Sequence, residues 1–146
     1  MSGLPVVLRL EGRRCLVVGG GTVAARKAAA LVRAGGRVLV VASRIRARLE
    51  RRSGVECRKR PFRSSDLAGA ALCVAATDNA RVQRRVYALC VARGIPVNVV
   101  DVPELCTFTM PAVVRRGGIS IAVSTGGRAP GSTGGGAPSP AASTPA

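Results

Sequence analysis

Cys15-Leu16-Val17-Val18-Gly19-Gly20-Gly21-Thr22-Val23-Ala24-Ala25-Arg26-Lys27 is the stretch on which the fold turns. An apolar, β-branched run passes through three glycines straight into an Ala-rich segment of helical spacing. It therefore reads as a strand, a tight turn and a helix N-terminus. Gly19, Gly21 and Ala24 fit the G-x-G-x-x-G/A pattern of a dinucleotide-binding turn. In that pattern the first glycine allows the sharp turn, the second lets the backbone approach a phosphate, and the small third residue lets helix and strand pack closely. The unpaired N–H groups of the helix start, with the positive end of its dipole, form a site for a pyrophosphate. Gly19, Gly20, Gly21, Thr22 and Val23 are thus the candidate phosphate-binding turn. The same pattern also ends ordinary strands, so its context has to decide.

The context is a regular alternation. Strands are expected at 15–18, 37–42, 55–58, 70–76 and 95–100, with a short strand or lead-in at 6–10. Helices are expected at 22–34, where Val23, Lys27, Ala30 and Leu31 share a face, at 44–53, and at 79–93. Gly35-Gly36, Gly54 and Gly94 supply the stops. Asp66 suits the cap of a short turn. Short apolar strands alternating with helices predict a doubly wound, Rossmann-like parallel sheet of the α/β class. Residues 106–110 and 112–123 read as further short strands, a β extension around Pro111 and Gly117-Gly118. From 129 to 146 the chain holds only Gly, Pro, Ser, Thr and Ala, which bury too little surface to offset chain entropy. The expected organisation is one domain over 1–128 and a flexible, disordered tail over 129–146.

Composition narrows the chemistry. The 146 residues are 47% hydrophobic, enough for a core, and no apolar run reaches membrane-spanning length. Residues 1–5 lack a secretory pattern, so the cytoplasm is the expected compartment. The five cysteines show no C-x-x-C pair and read as reduced thiols. Without histidine, proton transfer falls to a carboxylate, Tyr87, Lys or Cys. The net charge of +16 is densest over 44–63 and attracts polyanions: nucleic acid, or a small carboxylate or phosphate ligand. A plain solvated surface explains it equally well. With one Tyr, two Phe and no Trp, a base-stacking platform is poorly supplied.

In a doubly wound sheet the ligand lies at the carboxyl ends of the strands. The glycine turn, Ser43-Arg44, Thr77-Asp78 and 98–101 should meet there. The place of the usual ribose-binding acid holds Ser43 and Arg44. Ser43 can still hydrogen-bond, and Arg44 suits a 2′-phosphate, so NADP stays open beside NAD. Asp101 closes an apolar strand at that same end and is the candidate general base or metal-facing carboxylate. The alternative is a turn cap before Val102-Pro103. Asp78 shares the location and also fits a helix cap. Cys106 fits a ligand, a nucleophile or a buried thiol. Ser124-Thr125-Gly126-Gly127 fits an anion-binding loop or a plain one.

Taken together, the chain resembles the N-terminal module of siroheme synthase, the precorrin-2 dehydrogenase/sirohydrochlorin ferrochelatase family. The matching pieces are Leu4-Pro5, the stretch from Val17 to Lys27, Ala75-Ala76-Thr77-Asp78 and Asn98-Val99-Val100-Asp101. Phe108-Thr109-Met110-Pro111-Ala112 and the run from Ile121 to Gly127 follow in the family's order. The resemblance implies NAD-dependent oxidation of precorrin-2 to sirohydrochlorin, with ferrous iron (Fe2+) inserted by some members. It implies NAD contacts from Thr22-Val23 and Ser43-Arg44, and an essential carboxylate at Asp101. Its substrate, a tetrapyrrole rimmed with carboxylates, would give the basic surface a specific partner. After Arg128-Ala129-Pro130 the chain departs from the family's helical dimerisation region, which puts a homodimer, chelation and turnover in question. Two rivals follow: a catalytically impaired NAD-binding remnant, and a basic nucleic-acid-binding protein.

Overall fold

The structure is a computed structural model and describes residues 3–124. Five parallel strands form the sheet: β1 (Arg14–Val18), β2 (Arg37–Ala42), β3 (Val55–Lys59), β4 (Leu72–Ala75) and β5 (Val97–Val99). Their order is β3-β2-β1-β4-β5. The chain runs outward from β1 in one direction, returns, and runs outward in the other. The reversal lies between β1 and β4, and in such sheets the ligand crevice opens there.

Strand β1 sits at the centre because it is apolar on both faces. Cys15, Leu16, Val17 and Val18 are all buried, as a strand covered on both sides requires. Leu16 and Val18 pack in one cluster with Leu39, Val41, Cys73, Ala75 and Val99 of the sheet and with Val86 and Cys90. The last two belong to α3 (Ala80–Ala92). Pleating sends Cys15 and Val17 to the other face, and α1 (Thr22–Arg33) packs against β1 and β2. Helix α1 buries Ala24, Ala28 and Leu31, so small residues let it approach the sheet. The ladder Val18↔Val41, Val18↔Ala75 and Ala75↔Val99 ends β2, β1, β4 and β5 along one rim.

Several elements differ from the sequence expectation. Residues 6–10 form no strand; Val6 and Val7 are exposed and only Leu10 is buried. A short strand with no ladder partner has nothing to offset its ordering. The helix expected at 44–53 shrinks to α2 (Ala47–Glu50). The Arg46 N–H donates to the Gly20 carbonyl at 2.9 Å, which holds the preceding residues extended. Like charges at Arg44, Arg48 and Arg52, four residues apart, also work against a longer helix.

The strand expected at 106–110 is a loop after a 3₁₀ turn at Pro103–Leu105. Its side chains take the place of a ladder on the outer edge of β5. The Val97 N–H donates to Thr107 Oγ1 at 2.9 Å and the Val99 N–H to Cys106 Sγ at 3.2 Å. This covers an edge that would otherwise stay open.

All these elements lie in one compact unit, Val6–Thr109. A second unit contains the antiparallel hairpin of β6 (Ala112–Arg116) and β7 (Ile119–Val123), with Val114 opposite Ile121. The tail expected over 129–146 and the loop residues Thr125, Gly126 and Gly127 lie outside the described residues. Among the described residues no helix is long and apolar enough to cross a membrane.

Candidate functional site

The three glycines of the β1–α1 turn have three different surroundings. Gly19 adopts φ +131°, and a Cβ there would run into the Ala76 carbonyl. The turn after β1 therefore packs directly on the turn after β4. A Cβ on Gly20 would collide with the backbone of Arg44 and Ile45, so the turn after β2 packs on its other flank. A Cβ on Gly21 would meet nothing within 4 Å among the described residues, and its φ of −92° suits any residue. No contact among the described residues explains a glycine at this position.

Gly21 is also the N-cap of α1 and provides no side-chain cap. The first N–H groups of the helix are left without carbonyl partners. No acid stands in the first turn of α1. An uncapped helix start behind a bare, accessible glycine is a cradle that a Cβ would partly fill and that an anion can enter. The residues present fit a dinucleotide pyrophosphate. An open cleft of about 340 Å³ adjoins it, lined by Gly20, Gly21, Arg44, Ile45 and Arg46. A second, of about 270 Å³, lies between α1 and α2, and Thr22, Arg26 and Arg46 are among its lining residues.

The other expected residues are placed as follows. Val23 is half-buried on α1, and Ser43 is exposed at the end of β2. Thr77 is half-buried after β4, and its Oγ1 accepts the Asn79 N–H at 3.2 Å. Asp78 is exposed and does not cap α3. That role belongs to Asn79, whose Oδ1 accepts the N–H groups of Arg81 and Val82 at 3.1 Å. Val23, Ser43, Thr77 and Asp78 line neither cleft.

Asp101 stands at the same rim, after β5. The Val102 N–H donates to the Val99 carbonyl at 3.2 Å, closing a turn with Asp101 third in it. Its φ is +64°, the only left-handed non-glycine among the described residues. Glycine or asparagine is the usual occupant of such a place. Cys106 ties the turn down: its thiol lies 3.1 Å from the Val99 carbonyl and 3.4 Å from that of Val102. Of the three readings open for Cys106, this geometry fits the buried thiol rather than a ligand or nucleophile. Its sulfur is engaged on both sides of the turn, and burial pushes the thiol's pKa up, away from the reactive thiolate.

One charged residue near the rim was not singled out in the sequence. Lys27 lies on the inward side of α1 and is half-buried. Burial, then neighbouring Arg26, push its pKa down, while Asp101 and Cys106 pull it up. Its ammonium is therefore within electrostatic reach of the Asp101 carboxylate. The signal was available: a lysine stands among the apolar positions of the α1 stripe.

Asp66 was expected as the cap of a short turn, and its partners go further. Its Oδ2 accepts the Arg63 N–H at 2.8 Å, and Arg60 donates to both carboxylate oxygens at 2.9 and 2.6 Å. The hydrogen bond from Arg60 holds the carboxyl below its usual range. Among the described residues no group of three or more His, Cys, Asp or Glu is placed to hold a metal.

The comparisons with known proteins agree with this geometry. A family model described as "Putative NAD(P)-binding" matches residues 6–112. The chain is 49% identical over 132 residues to siroheme synthase of Ectopseudomonas mendocina (strain ymp), a match covering 89% of this chain and 28% of that protein. It is 48% identical over 134 residues to siroheme synthase of Methylobacillus flagellatus, again across 89% of this chain and 28% of the relative. Among solved structures it is similar to "SirC, precorrin-2 dehydrogenase", with a TM-score of 0.74 and 30% identity. That match covers 88% of this chain and 64% of the other. The chain thus spans 28% of the length of these two curated relatives.

Proposed function

The chain belongs to this NAD(P)-binding family, and on that premise we propose that it carries out the NAD-dependent oxidation of precorrin-2 to sirohydrochlorin in siroheme synthesis. The observation that carries the reading is Asp101. A carboxylate occupies a left-handed turn position at the ligand rim, on the sheet edge opposite the arginines of the β2 loop. Such strain is retained where a side chain is needed in place.

Oxidation removes a hydride and a proton from the tetrapyrrole. Bound NAD supplies the hydride acceptor. Gly19, Gly20, Gly21, Thr22 and Val23 would hold its pyrophosphate, with Ser43 and Arg44 at the adenosine ribose and Thr77 and Asp78 along the rim. Asp101 takes the proton on a carboxylate oxygen. Lys27, half-buried on α1, offers a cation to the substrate's own carboxylates. Insertion of ferrous ion as a second substrate, with Asp101 accepting pyrrole protons, belongs to the same reading. The free thiols fit a reducing compartment such as the cytoplasm.

The test is anaerobic turnover. Precorrin-2 is generated in place, NAD⁺ is added, and NADH and sirohydrochlorin are followed by absorbance for the wild type and Asp101→Asn. Turnover that collapses in the variant is expected. A variant with the wild-type rate would remove Asp101 from the chemistry. NAD⁺ binding without turnover would favour a binding module over an enzyme.

A further inference from the structure

We propose that the groove between α1 and α2 is a binding site for a short oligophosphate anion, separate from the glycine turn and from the Asp101 rim. The proposal stands on the arginines of this groove and does not draw on the dehydrogenase reading.

Five arginines converge there. Arg26 and Arg33 stand on α1, and Arg46, Arg48 and Arg52 come from the α2 side. Arg26 and Arg33 are two helical turns apart, so they share a face and spread their charge over about 10 Å of the helix axis. Between the two walls lie Ala25, Ala29 and Leu49. The alanines are too short to fill the space, and Leu49 is buried. The groove measures about 270 Å³. That is just below the range of about 300–1,000 Å³ that takes drug-sized ligands. A small, linear anion fits this line of charge better than a single phosphate or a tetrapyrrole.

The five guanidinium groups are unspent. Elsewhere Arg14, Arg37 and Arg93 donate to the carbonyls of Ala68, Gly12 and Ser64, and Arg60 clasps Asp66. Among the described residues ion pairs involve only Arg58, Lys59 and Arg60 on the basic side. None of the five in the groove makes a side-chain hydrogen bond there. The one acid of α2, Glu50, is paired with Lys59, and no acid lines the groove. The Arg52 Nε is buried without a hydrogen-bond partner among the described residues. A buried donor in that state is rare in a native chain and calls for an acceptor from outside. Like charges around one groove also repel, and an anion placed among them relieves this.

The arginines select the chemistry of the ligand. Planar guanidinium forks take phosphate oxygens two at a time. No aromatic residue lines the groove, so a base finds no stacking face. Recognition therefore falls on the phosphates, whether they come as a free chain or as the tail of a nucleotide.

Calorimetric titration of the full chain with tripolyphosphate at fixed ionic strength tests this. Wild type should bind one equivalent. Arg33→Ala/Arg48→Ala should weaken binding at least about tenfold, the scale of one charge-assisted contact. Both residues are exposed, so the fold should survive, and neither lines the cleft at the glycine turn. Arg115→Ala/Arg116→Ala removes the same charge from the hairpin and should leave binding unchanged. Gly21→Ala should leave it unchanged too, which separates this groove from the glycine turn. ATP binding no tighter than tripolyphosphate supports a free chain as the source, and tighter binding supports a nucleotide; both must depend on Arg33 and Arg48. No binding, an equal loss in the hairpin variant, or a loss in Gly21→Ala alone overturns the proposal. Citrate bound as tightly as tripolyphosphate overturns the assignment to phosphate. An oligothymidylate bound more tightly through the same arginines overturns the small ligand in favour of nucleic acid.

Discussion

Asp66 and Asp101 are carboxylates of one compact unit held in opposite ways. Asp66 is fully buried on the 3₁₀ turn Ser64–Leu67. Arg60 clasps both of its oxygens, the Arg63 N–H takes one, and Arg58 stands 3.5 Å from the other. Asp101 is exposed, sits on left-handed backbone and enters no direct ion pair among the described residues. Asp66 has its acceptor capacity filled from within the chain, and its role is to fasten the segment after β3. Asp101 keeps its oxygens available, and the backbone bears a cost to keep it there. Burial and saturation mark a structural acid; exposure combined with strain marks one that acts on something else.

The sharpest way to break this contrast is Asp101→Asn. Turnover should fall by about 10²–10⁴, the usual range for loss of a general base. The unfolding free energy in urea should hardly move. A large loss of stability would place Asp101 with Asp66 after all.

Asp66→Ala should do the reverse. Leaving Arg60 without its partner should destabilise the chain by about 3 kcal/mol, measured by urea unfolding, while the folded fraction binds NAD⁺ as before. The effect is pH-dependent with a definite sign. The folded pKa of Asp66 lies below its unfolded value. Its contribution is therefore whole above the ordinary carboxylate pKa of about 3.9 and is lost as pH falls through the lower folded value. Wild type and Asp66→Ala should converge in stability at the acid end.

Gly21→Ala should weaken NAD⁺ binding about tenfold and leave stability unchanged or slightly raised, since only a ligand would meet the new methyl. Calorimetry alongside thermal unfolding separates the two. Asp101→Gly should share the turnover loss of Asp101→Asn and add a small gain in stability, about 1 kcal/mol in urea unfolding, by relieving the left-handed strain.

The sheet was legible because its strands are apolar on both faces and its turns carry glycine. Residues 15–18, 37–42 and 70–76 hold no other signal that competes. The glycine turn was legible for the same reason, and so was the position of Asp101 at the end of β5. What escaped depends on partners distant in sequence. Lys27 looks like one more helix residue until β5 brings Asp101 within reach of it. Asp66 looks like a cap until Arg58 and Arg60 fold back onto it. The helix expected at 44–53 fails because Gly20, more than twenty positions earlier, claims the Arg46 N–H. Residues 106–110 have strand-like composition, but the Thr107 and Cys106 side chains satisfy β5 in place of a ladder.

The close fit of Gly20 against the Arg44–Ile45 peptide bears on how this chain can diverge. A substituent at position 20 is barred, so the turn and the loop are inherited as one piece. The side chains at 43, 44 and 46 stand on that fixed frame and can change without shifting it. Substitutions at those three positions therefore alter what faces the cleft and leave the scaffold beneath it as it was.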